Sequence, residues 1–336
     1  MRVVEIRGSF GLDSLTVTDR PRPEAGPGQV LVKVNAVSLN YRDLLVAKGQ
    51  YNPKIPLPLI PGSDGVGEIV AVGPGVDDWK VGDRVAGTFF QAWAEGELTD
   101  DRARSTLGGD RDGVFAEYVA LERGGVVKVP AHLTDEQAAT LPCAALTAWN
   151  ALVTRGKIKA GDSVLVQGTG GVSIFALQFA RMMGARVIAT SKSDAKLRRV
   201  RELGASDGIN YQETPKWDEA VRQLTEGRGV DHIVEVGGAG TLERSFKAVR
   251  RGGRVSLIGV LAGNAAGVNP TPVLMKGITL QGIFVGSRQM FSEMNRAVAQ
   301  SGLVPVVDRV FPLEEARQAF AHMESGAHFG KIVLRL

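Results

Sequence analysis

The sequence predicts an α/β chain of two domains: a barrel-like antiparallel β domain, then a doubly wound parallel sheet. Three observations carry that reading. As far as Val129 the signals are short, β-branched strands cut by Gly and Pro. Beyond Pro130 apolar strands alternate with helical segments, the pattern of a parallel sheet covered on both faces. Within that second region, Val164-Leu165-Val166-Gln167 ends in the cluster Gly168-Thr169-Gly170-Gly171-Val172-Ser173, and an apolar helix opens from Ile174.

Taken in order, Val30–Val34 and Gly67–Val72 read as strands, and Arg20–Gly28 as a turn-rich connection. Pro53 to Pro61 holds four prolines in nine residues, so it is extended and without helix. Val81–Val85 is a tight turn into a further strand, and Gly113–Val119 another strand. Between these lies a long excursion, Gln91 to Asp112, of the kind uncommon unless functional or mobile. Thr134 caps a helix with Asp135 and Glu136 in its first turn. Then come Arg186–Thr190, a helix opened by Asp194, strands Val230–Val236 and Arg254–Val260, and an apolar edge strand Ile278–Val285. The tail carries a helix, Glu314–Met323, and a last strand, Lys331–Leu336.

The 336 residues suffice for two domains and a large core, and 44% hydrophobic with 23% charged residues is ordinary for a globular protein. No apolar run is long enough to span a bilayer and the start lacks a signal-peptide core, so a cytoplasmic protein without membrane partners is expected. One cysteine, Cys143, excludes a disulfide framework and any Cys-rich metal site. The net charge of +4, from 40 basic and 36 acidic residues spread along the chain, argues against nucleic acid and is compatible with an anionic small ligand. His132, His232, His322 and His328 show no ligand spacing, so packing or surface roles are expected.

The glycine cluster carries the chemistry. In a strand–turn–helix of this kind one glycine permits the turn and the next lets the phosphates of a dinucleotide approach the backbone, while the helix N-terminus offers free N–H groups. The G-x-G-x-x-G pattern is incomplete because Ser173 stands at the third position, which serves helix–strand packing rather than phosphate contact.

The order of motifs resembles the medium-chain dehydrogenase/reductase superfamily almost end to end. The matching residues are Pro61–Gly67, Gly82-Asp83-Arg84-Val85, Phe115–Val119, the glycine turn, Leu203-Gly204-Ala205, Gly252-Gly253-Arg254 and Gly330–Leu334. The resemblance implies a GroES-like catalytic domain over 1–129, a Rossmann domain over 130–287, and a return to the catalytic domain over 288–336. It also poses the question of zinc. Asn40 stands where the zinc enzymes have their first Cys ligand, Ser63 where they have His, and Asp64 where they have the adjacent Glu; only Cys143 matches a ligand position. The excursion Gln91–Asp112 has no cysteine for a structural zinc lobe. The chain is therefore similar to the zinc-free, quinone-oxidoreductase-like branch, and no metal is expected.

NADPH is expected rather than NADH. The second strand of the sheet ends Thr190-Ser191-Lys192 with no acid to hold a ribose 2′-hydroxyl, while Ser191 and Lys192 suit a 2′-phosphate. The resemblance adds Tyr211 beside that phosphate, Thr147 near the nicotinamide ribose, and Gly259, Val260, Phe284 and Val285 along the nicotinamide. It also offers Arg42 as a cofactor contact, and Lys331 either as one or as a stabiliser of the domain junction.

Without a metal, reduction of an activated C=C is easier than reduction of an isolated carbonyl, because an enone or quinone already delocalises the developing charge. The resemblance marks Tyr51 as proton donor, with Tyr41 and Asn40 as further catalytic candidates, and Phe89, Phe90 and Trp93 as an apolar substrate wall. Asp43 is expected to be structural. The reaction expected is hydride transfer to a quinone or α,β-unsaturated carbonyl; the alternatives are a zinc-free alcohol dehydrogenase or carbonyl reductase, and a non-catalytic nucleotide- or RNA-binding relative. A homodimer through the Rossmann edge strand is also expected.

Overall fold

The computed structural model describes residues 1–261 and 267–336, divided into two compact units. The first takes Met1–Leu146 and Gly286–Leu336. Its strands β1 (Arg2–Ile6) and β2 (Leu15–Asp19) form an antiparallel pair. Strands β3 (Gln29–Ser38), β4 (Asp64–Val72), β5 (Arg84–Gly87), β6 (Tyr118–Glu122) and β7 (Val126–Lys128) begin a second, larger sheet. The side chains of Val30, Val32 and Val34 lie in the core while Lys33 stays exposed, so the strand pattern read from the sequence is the pattern of burial. The core also holds Ile69, Val85, Phe115 and Phe320.

The second unit, Thr147–Val285, is built on six parallel strands. They are β8 (Ser163–Gln167), β9 (Arg186–Ser191), β10 (Asp207–Asn210), β11 (Val230–Glu235), β12 (Val249–Leu257) and β13 (Thr279–Gly282), in spatial order 10-9-8-11-12-13. The chain winds outward from β8 to β10, then starts again at β11 on the other side of β8. That reversal is the topological switch point at which doubly wound sheets bind ligands beyond the carboxyl ends of their strands. All five side chains of β8 are buried, as a central parallel strand requires.

The last strands, β14 (Val307–Pro312) and β15 (Lys331–Arg335), belong to the first unit and complete its large sheet in the order 14-15-3-4-5-7, with β6 on β3. The tail helix is Ala316–Glu324.

Several boundaries differ from the sequence reading. The first unit runs on to Leu146 rather than stopping at residue 129, because the capped helix after Thr134 is tied to it. Asp135 accepts from Arg84 Nε at 2.6 Å and from Asn35 Nδ2 at 2.9 Å, and Arg335 pairs with Glu136. The return begins at Gly286 rather than at residue 288. The expected strand Gly113–Val119 starts only at Tyr118, since the N–H groups of Gly113, Val114 and Phe115 donate to Ile60, Gly62 and Pro61. The edge strand is shorter than Ile278–Val285; Val285 takes a positive φ of 52°, which ends extended pairing.

Candidate active site and cofactor cradle

In the second unit the glycine turn has the geometry that phosphate binding demands. Gly168 sits at φ 71°, a left-handed conformation that other residues resist, and its N–H donates to Thr190 O at 2.8 Å, fixing the turn against β9. Gly170 is the N-cap of the helix Gly171–Met182, with extended backbone (φ −75°, ψ 178°) and no side chain capping the helix. A Cβ placed on Gly168 or Gly170 would meet nothing within 4 Å. The first N–H groups of the helix, including those of Gly171 and Val172, therefore remain available to an anion. Ser173 repairs the missing third glycine: its buried hydroxyl donates to Gln167 O at 2.6 Å, joining helix to strand.

The other predicted cofactor residues fall at the same carboxyl edge of the sheet. Ser191 closes β9, with Lys192 exposed after it, and Tyr211 follows β10 with its N–H donating to Ser191 O at 3.1 Å. Tyr211 keeps an exposed ring. Gly259 and exposed Val260 follow β12, while exposed Phe284 and buried Val285 follow β13. A Cβ on Gly259 would stand 2.7 Å from Val236 O, so glycine is required where these two turns approach. Thr147, at the start of the unit, is buried.

Two polar residues that the sequence reading missed organise this edge. The fully buried Glu235 accepts from Gly237 N (2.8 Å), Gly238 N (3.1 Å), Thr241 Oγ1 (2.5 Å), Gln167 Nε2 (2.8 Å) and the Ser245 hydroxyl. It thereby locks the turn after β11 to the end of β8. Asn150, equally unforeseen, donates from Nδ2 to Val285 O at 2.7 Å and steadies a β-branched residue in an unfavourable backbone region.

In the first unit a buried polar cluster gathers the residues at the family's metal positions. Asn40 is the N-cap of the helix Tyr41–Ala47, and its N–H donates to Asp43 Oδ2 at 2.8 Å in a capping box. Asn40 Nδ2 donates to Ser63 Oγ at 3.4 Å, and Ser63 Oγ donates to Asp64 Oδ1 at 2.7 Å. The Cys143 N–H donates to Asp64 Oδ2 at 3.1 Å. Lys331 enters from β15: its ammonium donates to Leu39 O and Asn40 Oδ1, both at 2.6 Å, and stands 4.0 Å from Asp64 Oδ2. The Lys331 amine is thus engaged within the first unit. Arg42 is engaged likewise, donating to Leu107 O at 2.7 Å and Gly108 O at 3.0 Å.

Burial sets the protonation chemistry. Desolvation raises the pKa of Asp64 against the lowering influence of Lys331, and lifts Asp43 to about 6 against that of Arg42. Desolvation also pushes the Cys143 thiol far up, so it stays protonated at neutral pH. Tyr51, its ring 5.2 Å from the Arg42 guanidinium, has its pKa raised chiefly by desolvation and keeps the proton a donor needs. Tyr51 is 41% and Tyr41 44% exposed, and neither joins the buried cluster.

These residues do not fit zinc. Of the residues at the family's metal positions only Asp64 and Cys143 are zinc-binding types; the carboxylate oxygens of Asp64 already accept from Ser63 and Cys143 N, and the Lys331 ammonium stands beside them. Among the described residues no group of three or more His, Cys, Asp or Glu could hold a metal ion. Phe89, Phe90 and Trp93 form a buried edge-to-face cluster where the chain enters the excursion, and Trp93 Nε1 donates to Gly96 O at 3.0 Å. They are core of the loop first. Among the histidines, His232 bonds Asp162 at 3.1 Å and His322 bonds Asp308 at 2.8 Å.

A six-stranded parallel sheet in this order with an open glycine turn defines a doubly wound, Rossmann-type fold, and comparison with known proteins places it further. The alcohol dehydrogenase GroES-like domain matches residues 26–131, and the zinc-binding dehydrogenase family matches residues 171–300. A zinc-type alcohol dehydrogenase-like protein of Schizosaccharomyces pombe is 44% identical over 333 residues, 97% of this chain and 96% of its own. The crystal structure of an NAD-dependent alcohol dehydrogenase is 38% identical with a TM-score of 0.92, covering 100% of both chains. Two mycobacterial structures, a quinone oxidoreductase and one complexed with NADPH, are each 28% identical, cover 100% of both chains and give TM-scores of 0.83 and 0.84. The chain belongs to the medium-chain dehydrogenase/reductase superfamily. It is an alcohol dehydrogenase-like oxidoreductase. No described helix is long and apolar enough to cross a membrane.

Proposed function

We propose that the protein is an NADPH-dependent oxidoreductase that works without zinc and delivers hydride to the C=C bond of a quinone or an α,β-unsaturated carbonyl compound. The observation that carries this reading is the Lys331 ammonium, hydrogen-bonded to Asn40 and 4.0 Å from Asp64, at the positions the family uses for metal. A substrate carbonyl would have no Lewis acid there, which favours an acceptor whose conjugation carries the developing negative charge. When bound, the cofactor supplies the hydride. The chain's part is to hold the diphosphate on the Gly168–Val172 turn and the 2′-phosphate at Ser191, Lys192 and Tyr211. Thr147, Gly259, Val260, Phe284 and Val285 border the nicotinamide in this reading. Tyr51, protonated and partly exposed, donates the proton that completes the reduction; Asn40 and Tyr41 shape the pocket around it.

The names of the relatives favour a second reading, reduction at C=O or its reversal on an alcohol, and one relative uses NAD. Rates of NADPH and NADH oxidation with a quinone, an enone and an aldehyde, in wild type and Lys192→Ala, separate the two. We expect the quinone or enone to be reduced and the aldehyde not. We also expect about a tenfold loss of NADPH affinity in the variant with NADH little changed, as for one charge-assisted phosphate contact. Aldehyde turnover alone, or equal loss for both cofactors, contradicts the proposal.

The protein is further proposed to be a homodimer through β13, an edge that leaves Leu280 and Phe284 exposed. Light scattering is expected to give twice the chain mass at micromolar concentration, and a monomer there refutes the pairing.

A further inference from the structure

At the opposite edge of the parallel sheet from the glycine turn lies a concavity of about 580 Å³ lined by Arg222, Gly227, Arg228, Arg250, Arg251 and Lys276. Arg228 precedes β11, Arg250 and Arg251 open β12, and Lys276 precedes β13, so all are gathered at the amino ends of the strands. Among the described residues no acidic side chain lines it.

The cations are held in place by the fold. Asp231, nearly fully buried behind them, accepts from Arg228 Nη2 at 2.7 Å and Nη1 at 3.1 Å, and from Arg250 Nε at 2.5 Å. Arg251 Nη1 donates to Met275 O at 2.7 Å, and Arg222 to Gly227 O. Lys276 donates to Phe246 O at 2.7 Å and Val249 O at 2.5 Å. Thus Asp231 pairs with Arg228 and Arg250, whereas Arg222, Arg251 and Lys276 have only neutral carbonyls as the partners just named. The crowding registers at Lys276, whose pKa is lowered by desolvation first and then by Arg222 and Arg251. An excess of like charge in a concave surface is relieved by an anion.

We propose that this concavity is a second anion site, distinct from the cofactor turn, that takes a compact multivalent phosphate, either free diphosphate or the diphosphate end of a nucleotide. Its lining side chains are four arginines and one lysine, so charge density is the feature it recognises. Arginine forks suit phosphate oxygens in particular.

The test is calorimetric titration of diphosphate, ADP and sulfate, at constant ionic strength, into the full-length protein saturated with NADPH, which keeps the titrant off the glycine turn. The NADPH affinity is measured first, so a failure of the cofactor reading is seen separately. We expect one diphosphate per chain with Kd of order 10 µM, at least about tenfold tighter than sulfate, and a loss of about tenfold or more in Arg222→Gln/Arg251→Gln. Unchanged NADPH affinity shows that this variant is folded; if it is not, Arg251→Glu takes its place with the same expected loss. ADP binding as tightly as diphosphate identifies the phosphate end as the recognised group in either source. Diphosphate binding no tighter than sulfate, or undiminished in the folded variant, overturns the site.

Discussion

Gly170→Asp is expected to abolish NADPH binding while leaving the protein as stable as wild type or more so. Gly170 has backbone angles open to any residue, and a Cβ there meets nothing within 4 Å, so the substitution brings neither strain nor clash. The position is the N-cap of the helix Gly171–Met182, where Asp is among the preferred residues and gains a few tenths of a kcal/mol over Gly. Its carboxylate would accept from the helix N–H groups that the diphosphate needs, and would repel the phosphates as well. The loss should be at least about 100-fold in Kd, or about 2.8 kcal/mol. Fluorescence titration with NADPH and a thermal melt measure the two halves. A fall in melting temperature together with retained affinity would show that the turn is not the phosphate site.

Lys331→Met is expected to destabilise the first unit by about 3–5 kcal/mol, as when one partner of a buried ion pair is removed. The ammonium is 3% exposed, and its loss strands the carbonyl of Leu39, the amide oxygen of Asn40 and the Asp64 carboxylate. The effect depends on pH with a definite sign. Lys331 holds the pKa of Asp64 down against desolvation, so without it the folded-state pKa rises further above the unfolded value. A raised carboxyl pKa means that the folded state binds the proton more tightly, so stability falls as pH rises through the range between the unfolded and folded values. The gap between wild type and variant should therefore widen from acid toward neutral pH and level off above the variant's Asp64 pKa. Urea denaturation at a series of pH values measures it, and a gap independent of pH would remove Asp64 from the account.

The glycine turn was legible in the sequence because its left-handed position, Gly168, favours glycine, and the parallel sheet because buried strands and helices alternate. The replacement of the zinc ligands could be read at Asn40 and Ser63. What fills their place could not: Lys331 reaches Asn40 across 291 positions of sequence, and only the fold joins them. Glu235 escaped for the same reason, since its partner Gln167 lies 68 positions away and neither residue stands in a local motif. Phe89, Phe90 and Trp93 show the converse. An aromatic cluster reads as a substrate wall from sequence, yet packing the loop uses the same residue types. The boundary near residue 130 follows composition, whereas the unit ends at Leu146 because a hydrogen bond to β3 and ion pairs to β5 and β15 tie the capped helix to it.

The central claim is hydride transfer to carbon without a metal. It is tested most directly by reducing a cyclic enone with chelator-treated protein and NADPH deuterated at the transferred position. The account predicts a saturated ketone with deuterium at the former β-carbon, at a rate unaffected by the chelator. Deuterium on the carbinol carbon of an unsaturated alcohol, or turnover that returns only when zinc is added, would contradict it.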